Sequence, residues 1–189
     1  MDIIYKIEFF SDWHCGSGLS SGADVDLIVV KDKFELPFIP GKTIKGLLKD
    51  AALSLQDFNA VDDSFIEKVF GKEAKQSKKD QEHEHSKECV TFFSNAELTD
   101  AVKKQLKDKT DLIYRSIAST AIEENGQAKE HSLRKMEVVV PLTLFGKIAN
   151  VPDEHKESLK KCMQFTKRMG TGRTRGLGRC QISIAEEVK

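Results

Sequence analysis

The first strand-length stretch limits what this chain can build. Residues 3–10 read IIYKIEFF: Ile3, Tyr5, Ile7 and Phe9 fall on one side of an extended chain, and Ile4, Lys6 and Glu8 on the other. Successive strand side chains point to opposite faces, so the pattern demands a sheet with one buried face and one that tolerates charge. A buried sheet face needs a second layer, helices or another sheet, packed against it. Ile44, Leu47, Leu48 and Ala51 or Ala52 recur at helical spacing, which predicts an amphipathic helix with Thr43 as N-cap. Residues 153–169 predict a second helix, capped by Asp153 behind Pro152, with Leu159, Met163 and Phe165 inward.

Extended segments fill the rest. Leu27–Val30 is a short β-branched run that follows a loop with Gly16, Gly18 and Gly22 and ends in a Lys31-Asp32-Lys33 turn, which predicts a hairpin arm. Order resumes at Val90–Leu98; Leu112–Ser116 and the long apolar Lys135–Ile148 read as strands, and Gly178–Val188 as the last one. Residues 117–134 are polar and centred on Asn125-Gly126, a two-residue hairpin signal, so they predict a projecting β-arm. Residues 71–89 are charged without periodicity and read as a solvated insertion. The order β, helix, β-rich middle, β, helix, β predicts an α+β, ferredoxin-like (RRM-like) core with insertions in a single domain spanning 1–189, an architecture many RNA-binding modules share.

With 189 residues the chain can bury one core, and two are not expected. Thirty basic residues balance thirty acidic ones, so no whole-molecule field draws it onto nucleic acid or membrane, and any polyanion site must be local. Such a site exists: residues 158–180 hold seven Lys or Arg and no Asp or Glu. Cys15, Cys89, Cys162 and Cys180 are far apart and form no Cys-x-x-Cys pair, and no apolar run reaches signal-peptide or membrane-span length. The expectation is a reduced cytoplasmic protein with free thiols and no membrane partner.

Two glycine-bearing motifs resemble nucleotide sites and fail as such. Gly41-Lys42-Thr43 looks like the end of a phosphate-binding loop, but that loop needs a glycine five residues before Gly41, where Leu36 stands, and Pro37 and Pro40 lack the backbone donors a cradle would use. In MGTGRTRGLGRC (169–180), Gly170, Gly172 and Gly176 are one residue too far apart for a dinucleotide fingerprint, and the loop follows a helix and precedes a strand. Glycines interleaved with Arg173, Arg175 and Arg179 suit close approach to a phosphate backbone with guanidinium pairing; a turn with solvated arginines is the alternative reading. His83, His85 and Cys89 form His-x-His-x-x-x-Cys, which fits no standard zinc pattern but could take zinc with a fourth donor; a solvated charged loop is the other reading.

Taken together, HCGSGLSSGADVD (14–26), LPFIPGKTIKGLLKDAA (36–52), Phe70-Gly71, FFSNAEL (92–98), the segment 114–139, FGKI (145–148) and GTGRTRGLGRCQI (170–182) resemble the RAMP superfamily of CRISPR proteins. The resemblance is to the subunits that polymerise along guide RNA as the backbone of type III effector complexes. It implies that Gly41, Lys42, Thr43 and Lys45 meet guide phosphates at a helix N-terminus, with Arg115 and the loop residues Lys167, Arg168, Gly172, Arg173, Arg175, Gly176, Gly178 and Arg179 as further RNA contacts. It makes residues 117–134 a thumb that wedges into the guide–target duplex and displaces a nucleotide at intervals. It places a catalytic aspartate at Asp26, in a loop spanning 14–35. Asp24, two residues away on an extended chain, would project to the same side, so either or both could hold hydrated Mg²⁺ against the scissile phosphate. The implied chemistry is attack by the RNA's own 2′-hydroxyl, with His14 a further candidate for proton transfer. The implied partners are CRISPR guide RNA, complementary target RNA, copies of the chain in a filament and other effector subunits. A non-catalytic guide-holding subunit and a stand-alone guide-processing endoribonuclease are the alternatives; an Asp-x-Asp in a glycine loop also forms turns without chemistry.

Overall fold

The structure is a computed structural model that describes residues 1–18, 25–71 and 91–188. Strand β1 (Asp2–Phe9) lies between two antiparallel neighbours. On one side β5 (Thr143–Ala149) sets Ile3 opposite Ile148 and Ile7 opposite Leu144; on the other β6 (Cys180–Val188) sets Ile7 opposite Ile182 and Phe9 opposite Cys180. The short β2 (Phe92–Phe93) adds to β5, giving the order β2-β5-β1-β6. Ile3, Tyr5, Ile7 and Phe9 are buried, as the alternation requires, in one core with Ile44, Leu48 and Ala52 of α1 (Gly41–Asp57) and Leu159, Cys162 and Met163 of α4 (Lys156–Phe165). Each fully buried Ile or Leu in that layer contributes about 1.5–3 kcal/mol. The sequence order β1-α1-β2-β5-α4-β6 in this antiparallel sheet is the ferredoxin-like arrangement of an α+β domain, as expected.

The helix starts differ from expectation. Helix α1 begins at Gly41, behind Pro40 and without a side-chain cap from its own segment, so Thr43 sits in the first turn, donating its N–H to the Pro40 carbonyl at 2.9 Å. The side chain serving that helix end comes from elsewhere: Asn95 Oδ1 accepts the Gly41 N–H at 3.0 Å. Asp153 caps nothing; it opens a 3-10 turn (Asp153–His155) with its carboxylate 3.6 Å from the N-terminal amine. Helix α4 stops at Phe165, whose ring is exposed, so Cys162 takes the inward place given to Phe165. Two helices were not anticipated: α2 (Asp63–Phe70), capped by Asp62 accepting the Phe65 N–H at 2.8 Å, and the short α3 (Asp100–Gln105).

The long apolar run at 135–148 is not one strand. It breaks at Pro141, which has no N–H to give a ladder, and divides into β4 (Arg134–Val139) and β5. Strand β4 pairs with β3 (Tyr114–Ser119) in a separate two-stranded sheet, and β3 begins after a 3-10 turn at Thr110–Ile113. That hairpin narrows through an Ile122–Ala128 bridge to a tip where Glu123 donates to Gln127 and its carbonyl accepts the Gly126 N–H, both at 2.9 Å. Gly126, with φ +83°, thus ends a three-residue loop, rather than forming half of a two-residue turn with Asn125. Leu27–Val30 is an arm of isolated bridges rather than a full strand: Val29 bridges Gly16 and, across the turn after Lys31, Lys31 bridges Pro37, both antiparallel, while Leu27 also bridges β4 in parallel at Met136. Order after residue 90 is also sparser than expected, with isolated bridges at Ala96 and Glu97 following β2. No helix among the described residues is long and apolar enough to cross a membrane. Cys15, Cys162 and Cys180 are free thiols, pushed up by burial to about 11, 12 and 12 respectively.

Candidate nucleic-acid interface

Residues 12–14 form a strut between two surfaces. Trp13 bridges β4 at Val139, donating its N–H to the Val139 carbonyl at 2.9 Å and accepting in return at 2.8 Å, while its ring stacks on Phe9 at 4.5 Å. On the other side the Asp12 carbonyl accepts the Gly178 N–H at 2.8 Å, and the His14 carbonyl accepts the Thr171 N–H at 3.0 Å. The glycine loop is therefore clamped to the same segment that carries the hairpin sheet. Arg115 on β3 reinforces the join, with Nη1 3.3 Å from the Asp12 carboxylate.

The glycines of that loop serve the clamp. A Cβ on Gly178 would lie 1.8 Å from the Met169 carbonyl oxygen, and one on Gly170 would lie 2.2 Å from that of His14. Gly172 and Gly176 flank a 3-10 turn of Arg173–Arg175 with φ of 76° and 91°, conformations that a side chain strains. Of these, Gly176 alone has open space where a Cβ would go. Of the loop glycines expected to clear a path for an RNA backbone, only Gly176 has that space open; at Gly170 and Gly178 the chain's own backbone fills it, and at Gly172 the Leu177 side chain does. The arginines differ from one another too. Lys167, Arg168, Arg173, Arg175 and Arg179 are all exposed; Arg168 also donates Nη1 to the Arg173 carbonyl at 2.8 Å and so ties the loop, and Arg179 lies 6.0 Å from the Phe10 ring.

Asp26 sits at the base of the hairpin. Its N–H donates to the Lys135 carbonyl at 2.9 Å, and its Oδ2 accepts the Lys135 N–H at 2.8 Å. The residue is exposed. With Oδ2 held, Oδ1 is left for one bond to a hydrated divalent cation, which suits Mg²⁺ because that ion keeps most of its waters and takes only one or two carboxylates. Among the described residues no group of three or more His, Cys, Asp or Glu could hold a metal. Asp24 lies outside the described residues, as do His83, His85 and Cys89 of the zinc expectation. His14 is 1% exposed; its Nδ1 is 2.7 Å from the Glu137 carbonyl oxygen and so carries the proton, and a Cβ on Gly16 would come within 3.0 Å of its Nε2. The imidazole is a packed tie between the strut and β4.

The α1 N-terminus forms a second surface. Lys42 and Thr43 are exposed and Lys45 is half-buried, whereas Gly41 is buried because a Cβ there would meet the Phe93 carbonyl oxygen at 2.1 Å. Beside it runs an open groove of about 800 Å³ between Lys42, Phe92, Asn95, Phe145 and Lys147. Lys147 is paired with Asp2 at 2.7 Å, so of the described lysines lining the groove Lys42 is the one at the helix end. Asn95, Glu137 and Lys31 were missed at the sequence level. Glu137 carried a usable signal: it is a lone acid in the apolar run MEVVV, and a half-buried charge requires a partner.

The RAMP superfamily model matches residues 6–181. No curated protein matches the sequence. Among solved structures, a chain of the type III-B Cmr-beta complex bound to cognate target RNA has a TM-score of 0.69 at 13% identity, with 97% of each chain covered. A chain of the same complex in its apo state has a TM-score of 0.69 at 14% identity, covering 100% of this chain and 99% of that one.

Proposed function

We propose that this chain, which belongs to the RAMP superfamily, is a subunit of a type III RNA-guided effector complex that holds guide RNA by its phosphate backbone and cuts the complementary target at regular intervals. The observation that carries this reading is the 12–14 strut, which joins the exposed arginines of the glycine loop to a projecting hairpin whose base holds Asp26. A backbone grip, a wedge and a carboxylate in one continuous unit suit an RNA that must be held, distorted and cut. The similar fold of a chain from a complex bound to cognate target RNA supports the partner class.

In this reading Arg173, Arg175, Arg179, Lys167 and Lys42 meet phosphates, which bind without regard to base identity. The hairpin displaces a target nucleotide, and the freed backbone step can reach in-line geometry: the 2′-hydroxyl gives its proton to water as its oxygen bonds to phosphorus, the bond from phosphorus to the 5′-oxygen breaks, and that oxygen takes a proton from water, giving a 2′,3′-cyclic phosphate and a 5′-hydroxyl. Asp26 Oδ1 orients the group at that step while the Lys135 N–H fixes its partner oxygen. Mg²⁺, when bound, would neutralise charge growing on the phosphate oxygens. His14 enters as a positioning group, because its burial leaves the imidazole no open path to a reacting oxygen.

One observation favours a second reading. The paired backbone and carboxylate bonds between Asp26 and Lys135 would also make Asp26 a loop anchor in a subunit that only holds guide. Cut-site mapping decides. The assembled complex, given guide, complementary target and Mg²⁺, should cut periodically, and Asp26→Ala should abolish the cuts while guide retention stays within about twofold; undiminished cutting would leave the guide-holding reading.

A further inference from the structure

Glu137 is the most heavily engaged acid near the hairpin. Its carboxylate accepts the Val29 N–H at 3.0 Å on Oε2 and the Lys31 ammonium at 2.9 Å on Oε1. Its own N–H donates to the Leu27 carbonyl at 2.9 Å, and its carbonyl accepts from His14. Both charges of the pair are mostly buried, with the Glu137 side chain 18% and the Lys31 side chain 23% exposed. Lys31 also lies 4.1 Å from the Tyr114 ring centre and 3.7 Å from Glu35, and the Tyr114 hydroxyl donates to the Glu35 carbonyl at 2.7 Å. The phenol is pushed up by burial and then by Glu137, Glu35 and Asp32, so it stays a neutral donor.

Fastenings of two different kinds tie the described part of the aspartate loop to β4. Asp26 and Leu27 are fastened by backbone bonds to Lys135 and Glu137, which any side chains in β4 would allow. Val29 and Lys31 are tied to β4 through the Glu137 carboxylate, which depends on this residue, while their backbone bridges run to Gly16 and Pro37, outside the hairpin. A glutamate reaches both a backbone N–H and an ammonium across the strand edge; an apolar residue at 137 would reach neither and would leave Lys31 without its nearest counter-charge.

Resting on the proposed cleaving role of Asp26, we propose that Glu137 is a positioning residue that locks residues 27–31 to the hairpin's inner strand and so fixes the Asp26 carboxylate relative to the nucleotide the hairpin displaces. The lock acts on the geometry of cutting and not on RNA affinity, because neither the Glu137 carboxylate nor Lys31 is free to meet phosphate.

The test uses the assembled complex with guide, saturating complementary target and Mg²⁺ under single-turnover conditions. Glu137→Ala should slow cutting roughly tenfold to a hundredfold, the scale of a misplaced reacting group, with target and guide affinity within about twofold of the parent. Glu137→Gln should lose less, because its amide oxygen still accepts the Val29 N–H. Adding Lys31→Met to Glu137→Gln should cost little more, since the two side chains act as a pair. Hydrogen exchange should speed up at residues 27–31 in Glu137→Ala and stay slow in β3, which shows that the hairpin still folds. Parental cutting with faster exchange would overturn the inference, as would a loss of RNA affinity matching the loss of rate. Asp26→Ala separates this inference from the reading it rests on. If that variant is inactive and Glu137→Ala cuts at the parental rate, only the Glu137 role falls. If Asp26→Ala itself cuts at the parental rate, Glu137 has no cutting group to position and both fall.

Discussion

The two glycine-bearing segments that dominate the sequence, 36–46 and 169–180, use glycine in the same way and cations in different ways. In each, the glycines that matter most are hemmed in by backbone: Gly41 by the Phe93 carbonyl, Gly170 and Gly178 by those of His14 and Met169. The first segment then presents Lys42 at the end of a seventeen-residue helix, where free N–H groups and the helix dipole favour an anion. The second presents Arg173 and Arg175 on a three-residue 3-10 turn too short for a useful dipole, so the guanidinium groups act alone. Motif glycines beside cations are thus better read as the means of placing the cations than as gaps for a ligand.

The largest effect expected from this comparison is at Gly178. With a Cβ 1.8 Å from a carbonyl oxygen and φ at +67°, Gly178→Ala must displace the loop from its strut, and a loss of about 4 kcal/mol or more is expected in denaturant unfolding. A parental midpoint would mean that the loop is not clamped as described. Next comes charge reversal of Arg173 and Arg175 together. Every single-stranded RNA tested should bind more weakly by a similar factor, and the slope of log affinity against log salt should flatten by about 1.4, each phosphate contributing about 0.7. A loss confined to one sequence would show that the turn reads bases.

Gly176 is the sharper probe, because its φ of +91° is strained for a side chain while the space around it is open. Gly176→Ala should cost about 1–2 kcal/mol of stability and leave RNA affinity unchanged. If affinity fell with stability intact, glycine would be serving ligand approach after all, and the comparison would break at that position. The smallest effect is at the other segment: Asn95→Ala removes the acceptor for the Gly41 N–H and should cost about 1 kcal/mol, as loss of an N-cap does. A null result in thermal unfolding would show that water serves that helix end equally well.

The sequence by itself determined the layers. The alternation in residues 3–9 and the spacing of Ile44, Leu48 and Ala52 each report one buried face, and such patterns survive whatever the element packs on. It also marked both cation-bearing segments and the hairpin, since turn and charge chemistry are local. It could not show that 135–148 breaks into strands of two different sheets, because an apolar run reads the same whichever ladder it joins. Nor could it show that Asn95 serves a helix fifty-four residues earlier, that residues 26–31 dock on β4, or that His14 is buried beneath the glycine loop. Those are pairings between hydrogen-bonding groups far apart in the chain, and only tertiary structure decides which distant partner satisfies each of them.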